Sequence, residues 1–196
     1  MLAEWSAECA ADDPVLVVPW SSQPGMGDFI DLRENPYDLD HIPEAEQHPP
    51  LMQALRALNA PRSPVFTAKC DAWTLDADEL EALQLNLDLL PDEAPHGFCS
   101  YIDLLWRERP LFVSFHQQEQ RLTRLARVVD ALDQPYAALD CILRPALIDL
   151  TGPQEGFAFS LYVKALGTDA PHAYENWTRA LEAVVTLLRG KDFSTN

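Results

Sequence analysis

Four stretches of this chain alternate their side chains with a period of two, and that pattern limits the fold more than any other feature. They are SPVFTAKCDAWTL (63–75), GFCSYIDLLW (97–106), YAALDCILRPALI (136–148) and GFAFSLYVKAL (156–166). Successive side chains of a strand point to opposite sides, so each stretch divides into two faces. One face is apolar: Phe66, Ala68, Cys70 and Ala72; Phe98, Ser100, Ile102, Leu104 and Trp106; Leu139, Cys141 and Leu143; Phe157, Phe159, Leu161 and Val163. The other mixes charge with aromatic rings and presents Lys69, Asp71, Trp73, Tyr101, Asp103, Arg107, Asp140, Arg144, Tyr162 and Lys164. Cys99 shares the mixed parity.

Helices are signalled between these strands. Asp76 with Glu79, and Ser114 with Gln117, have the spacing of a capping box. The first opens a helix with Leu80, Leu83 and Leu87 inward. The second opens a longer one with Phe115, Leu122, Leu125, Val129 and Leu132 on one stripe. A last helix starts near Asp169, where Tyr174, Trp177, Leu181, Val184, Val185 and Leu188 recur at helical spacing. These elements predict an α+β fold, a mostly antiparallel sheet with helices packed on one face. GFCSYIDLL leading to TRLARVVDAL resembles GFAFSLYVKAL leading to TRALEAVVTLL, which suggests a strand–strand–helix duplication.

The first sixty residues read differently. Pro19, Pro24, Pro36, Pro43, Pro49 and Pro50 forbid long regular elements there, apart from a helix at about 50–59 with Leu51, Met52, Leu55 and Leu58 on one side. VLVVPW (15–20) and DFIDLR (28–33) are expected as short strands. The division expected is an acidic, proline-rich N-terminal segment (1–60) packed on an α+β core domain (61–196). PVLVVPW has no basic flank and no small-residue cleavage site, so it is not read as a signal peptide.

Charge narrows the partners. The net charge is −17, and residues 1–60 alone carry eleven acids against two arginines. Nucleic acid and anionic membrane both demand cationic contacts, so neither is expected as a direct partner. Four cysteines, at 9, 70, 99 and 141, contain no CxxC pair. They read as reduced thiols of a cytoplasmic protein rather than a zinc framework. Cys70 and Cys141 fall on the apolar parity, where burial keeps a thiol protonated and inert.

Other constellations are weaker. HIPEAEQH brings His41, Glu44, Glu46 and His48 together, but Pro43 interrupts a helix and no HExxH spacing exists, so a solvated acidic loop is expected. Arg121, Arg124 and Arg127 form a basic strip, read as a dock for the acidic segment Asp28–Glu46 or as solvated helix surface. Gly25-Met26-Gly27 is too short for a phosphate loop, and Pro91-Asp92 lacks the acid-x-Lys that a restriction-type nuclease strand carries. There is no GxSxG or kinase signature, and no metal or cofactor is expected.

The function expected is therefore that of a non-catalytic cytoplasmic protein acting by protein–protein contact, as an accessory, chaperone-like or immunity-like protein, with a homodimer among its forms. Tryptophan, tyrosine and arginine on the mixed face are the types that anchor interfaces. One alternative is a hydrolase or nucleotide-processing enzyme using the carboxylates Asp71, Asp103 and Asp140. Another is an acidic nucleic-acid mimic built on residues 1–60.

Overall fold

The computed structural model describes residues 1–21, 28–190 and 193. Strands β1 (Leu2–Ala7) and β2 (Leu16–Val18) come first, followed by helices α1 (Pro43–Gln47) and α2 (Pro49–Asn59). Strands β3 (Val65–Thr74) and β4 (His96–Trp106) flank helix α3 (Ala77–Asn86). Helices α4 (Arg109–Phe112) and α5 (Phe115–Asp130) lead to strands β5 (Ala137–Ile148) and β6 (Gln154–Gly167), and α6 (Ala170–Arg189) follows. The helix starts are locally encoded. Asp76 accepts the amide of Glu79 and Glu79 returns the bond to Asp76. Ser114 accepts from Gln117, and Asp169 from His172. Each cap satisfies an orphan amide and contributes about 1 kcal/mol.

The strands form one sheet in the order β1-β5-β6-β4-β3, with β2 also paired to β5. β3–β4, β4–β6 and β5–β6 are antiparallel, but β1 and β2 both run parallel to β5. The sheet is therefore mixed, which corrects the mostly antiparallel expectation. β1 lies opposite residues 138–143 and β2 opposite 146–148, so the N-terminal chain follows one edge of β5, steps away and returns in the same direction. LAEWSA (2–7) is a strand because β5 supplies its bonds from some 136 residues away, a pairing that leaves no local trace. The expected strand at 28–33 is absent; Asp28 makes an isolated bridge to Ser21, and Asp31 then pairs with Arg33 at 2.6 Å in a turn.

The apolar face is covered by α2, α5 and α6. Trp177 of α6 is completely buried, and its indole nitrogen donates to the hydroxyl of Ser100 on β4 at 2.9 Å. Phe98, Tyr174 and Trp177 meet edge to face or tilted at 4.7–5.0 Å, a geometry that adds to their area burial. Asn59 at the end of α2 bonds both the hydroxyl and the amide of Thr67, locking that helix to β3.

Two further expectations change. α3 does not join the other helices: Leu80, Leu83 and Leu87 cluster with Trp73, Cys99, Ala138, Tyr162 and Leu166 on the mixed side of the sheet. The link from β3 to β4 is long enough to cross either side, and its leucines follow the apolar end of the mixed face. The strand–strand–helix order does occur twice, but α5 packs on β1 and β5 whereas α6 packs on β6 and β4. The two helices hold different places, and an internal duplication does not follow. Among the described residues no helix is long and apolar enough to cross a membrane.

Candidate functional site

The pairing registers turn the mixed face into a grid. One row runs Trp73–Cys99–Lys164–Ala138, the next Asp71–Tyr101–Tyr162–Asp140, and the next Asp103–Ser160–Ile142. A fourth holds Phe66 and Leu105, with Ala158 and Arg144 across the sheet. Strict alternation puts Phe66 on the apolar face with Cys70, and here the structure differs. The β3–β4 register slips between Thr67 and Cys70, so Ala68 and Lys69 both oppose Asp103. Such a bulge inserts one residue and reverses the parity before it. Val65 and Thr67 therefore face the helices, and Phe66 joins Leu105 on the mixed side, where the Arg33 guanidinium sits 3.9 Å from its ring centre.

Both ends of this face are roofed. α3 covers the Trp73–Cys99 row, and the Trp73 indole donates to Glu79 at 3.1 Å. The N-terminal segment crosses the opposite end, with Val18 and Leu32 buried and the Trp20 indole donating to the Ala68 carbonyl at 2.9 Å. Between the roofs lies a cleft of about 340 Å³, walled by Lys69, Tyr101, Asp103, Arg144, Ala158, Ser160 and Tyr162 and by Pro14, Val15 and Leu16 where the N-terminal chain enters β2. That volume is within the range of small-ligand sites, about 300–1,000 Å³.

Most charge at the site is internally paired. Arg144 donates to Glu8 at 2.8 Å and to the Ser160 hydroxyl at 3.1 Å. Ser160 in turn donates to Asp103 at 2.5 Å. Burial raises the Asp103 carboxyl above the usual carboxylate range, while the Ser160 bond and the charges of Arg144 and Lys69 oppose that rise. Burial likewise raises the Tyr101 phenol, with the charges of Asp103 and Asp71 adding to it. Lys164 pairs with Asp140 at 2.7 Å, and Asp71 accepts the amide of Ala72. Trp73, Tyr101 and Tyr162 stand in file, with ring centres 6.2 and 5.7 Å apart.

Of the ten residues read from the sequence, Lys69, Tyr101, Asp103, Arg144 and Tyr162 meet in the cleft. Trp73 and Lys164 lie in the row beneath α3, and Asp71 and Asp140 at the outer ends of the tyrosine row. Arg107 leaves the group: its guanidinium bonds the carbonyls of Asn59 and Val65, closing the C-terminal end of α2. The three aspartates do not converge. Asp71 and Asp140 are three strand spacings apart, roughly 14 Å, each with its own partner. Among the described residues no group of three or more His, Cys, Asp and Glu side chains is placed to hold a metal. Ser160 was missed as a site residue although its parity was legible. Pro14, Val15 and Leu16 carried no signal, because only the path of the N-terminal segment places them there.

None of the thiols lines the cleft. Burial pushes Cys70 up to about 12 and raises Cys99 and Cys141 as well. Cys99 does face the mixed side, but completely buried beneath α3. His48 packs on Phe98 and Trp177, His41 lies beside Asp38 at 3.6 Å, and the Arg121 guanidinium donates to the Phe193 carbonyl. Gly25-Met26-Gly27 lies outside the described residues. Comparison with protein-family models, curated proteins and solved structures finds no match to this chain.

Proposed function

We propose that the protein is a non-catalytic cytoplasmic binding protein that engages another protein, or a second copy of itself, through the open part of the mixed face. The observation that supports this most is the file of half-buried rings that runs from Trp73 beneath α3 to Tyr101 and Tyr162 in the cleft. Rigid aromatic groups flanked by paired charges provide contact area at low entropic cost, as interface anchors do. The one feature that could suggest chemistry is Ser160 beside Asp103. Its hydroxyl already accepts from Arg144 and donates to Asp103, and the residue is 3 % exposed, so it presents no nucleophile to a substrate. Four unpaired thiols suit a reducing compartment.

Chemical crosslinking would identify a partner, and titration would then measure its affinity for wild type and variants. Tyr101→Ala is expected to weaken binding about thirtyfold or more, the effect of losing roughly 2 kcal/mol at an anchor. Arg179→Ala, on the exposed side of α6, should leave the affinity unchanged. Sedimentation equilibrium applies the same comparison to self-association. A partner indifferent to both Tyr101→Ala and Trp73→Ala would sink the proposal.

A further inference from the structure

Donors outnumber acceptors in the cleft. The Lys69 ammonium stands 4.8 Å from the ring centre of Trp20, and among the described residues it has no hydrogen-bond or ion-pair partner. Arg144 and Lys164, whose strands share the mixed face, are held by Glu8 and Asp140. The Tyr101 hydroxyl is likewise without a hydrogen-bond partner among the described residues, and the Tyr162 hydroxyl, on the same wall as Arg144, has a proton to give. Among the described residues the single buried acid is Asp103, which accepts the hydrogen bond of the Ser160 hydroxyl.

We propose that Lys69, Tyr101 and Tyr162 form a subsite for a carboxylate or phosphate group entering this cleft. The assignment rests on the reading of the cleft as the binding surface and names the chemistry that surface accepts. An anionic oxygen answers three donors at once, and hydrogen bonds between charged groups are about twice as strong as neutral ones. A cation entering the same space would meet Lys69 and Arg144 before reaching Asp103. The protein's overall negative charge does not forbid an anion, since charges more than about 8 Å away are largely screened at physiological salt. A volume of about 340 Å³ admits a small molecule or one acidic side chain or chain terminus, not a polymer.

Two-dimensional amide NMR tests this on the full chain at constant ionic strength. Four probes are added separately: inorganic phosphate, acetate, a pool of free-acid tetrapeptides and the same pool amidated. Saturable shifts at the amides of Lys69, Tyr101 and Ser160 are expected, and Lys69→Met should weaken them about tenfold or more, equal to 1.4 kcal/mol, while the rest of the spectrum stays in place. Response to phosphate and acetate assigns the subsite to free anions. Response to the free-acid pool alone assigns it to a peptide carboxylate. No saturable shift at these amides with any probe, or equal affinity in Lys69→Met, overturns the assignment. If a protein partner is lost with Tyr101→Ala yet held equally by Lys69→Met, the anion subsite fails while the binding surface stands.

Discussion

The two faces of this sheet are closed in different ways. Against one side lie α2, α5 and α6, whose apolar stripes meet strand residues that are almost wholly buried, Leu104, Leu139, Cys141, Phe159 and Leu161 among them. Against the other lie a short helix and an irregular segment, and the space between them stays open as a polar cleft. Helices repeat a stripe and can cover a face continuously. A proline-rich segment covers only where single side chains such as Val18 and Leu32 happen to land. The difference teaches where this protein can combine stability with an accessible surface: rigidity comes from the helical side, and the uncovered polar groups stand on a sheet already held from behind.

The largest effect should come from the helical side. Trp177→Ala removes a fully buried ring and leaves the Ser100 hydroxyl without its donor, and urea denaturation should show a loss of about 3–5 kcal/mol. Val18→Ala, on the segment side, removes two buried methyl groups from a three-residue strand. A loss of about 1.5 kcal/mol is expected, at about 0.8 kcal/mol per carbon. A loss as large as that of Trp177→Ala would show both sides to be closed equally firmly and break the contrast.

Two carboxylates sharpen it through pH. The folded protein holds the Asp103 proton more tightly than the unfolded chain does, because burial opposes ionisation. Between the unfolded and folded values the native state therefore binds more protons, and stability falls as pH rises from about 4. Relative to Asp103→Asn, wild type should lose unfolding free energy across that window. Asp31, in the N-terminal segment, behaves oppositely: its bonds to Arg33 lower its value. The stability it supplies is present above the usual carboxylate range and is lost as pH falls below it, so Asp31→Asn should narrow its deficit in acid. Opposite slopes in the two pH series are the expected result, and equal slopes would contradict it. The smallest effect belongs to Lys164→Met, which breaks a partly exposed pair with Asp140. About 0.2–1 kcal/mol is expected, measured by the same urea titrations.

Much of the fold was legible where the deciding interactions are local. The capping residues Asp76, Ser114 and Asp169 start helices within a residue or two of where spacing puts them. The mixed parity of β4, β5 and β6 holds as well. Parity failed in the first half of β3, where a bulge at Ala68–Lys69 carries no mark in a run of ordinary strand residues. The site was legible as a list of outward residues but not as a place. Nothing in the local pattern distinguishes Lys69, which reaches the cleft, from Arg107, which is drawn off to the end of α2.

Sequence by itself determined which side of β4, β5 and β6 is apolar and where the capped helices begin, because alternation and caps act over two to four residues. Tertiary structure alone decided that β1 and β2 run parallel along β5, that α3 crosses to the mixed face, and that Pro14 to Leu16 line a cleft with Asp103 and Ser160. Several of those features join residues more than a hundred positions apart. Their energies arise only when the sheet has formed, and so they leave no period in the chain.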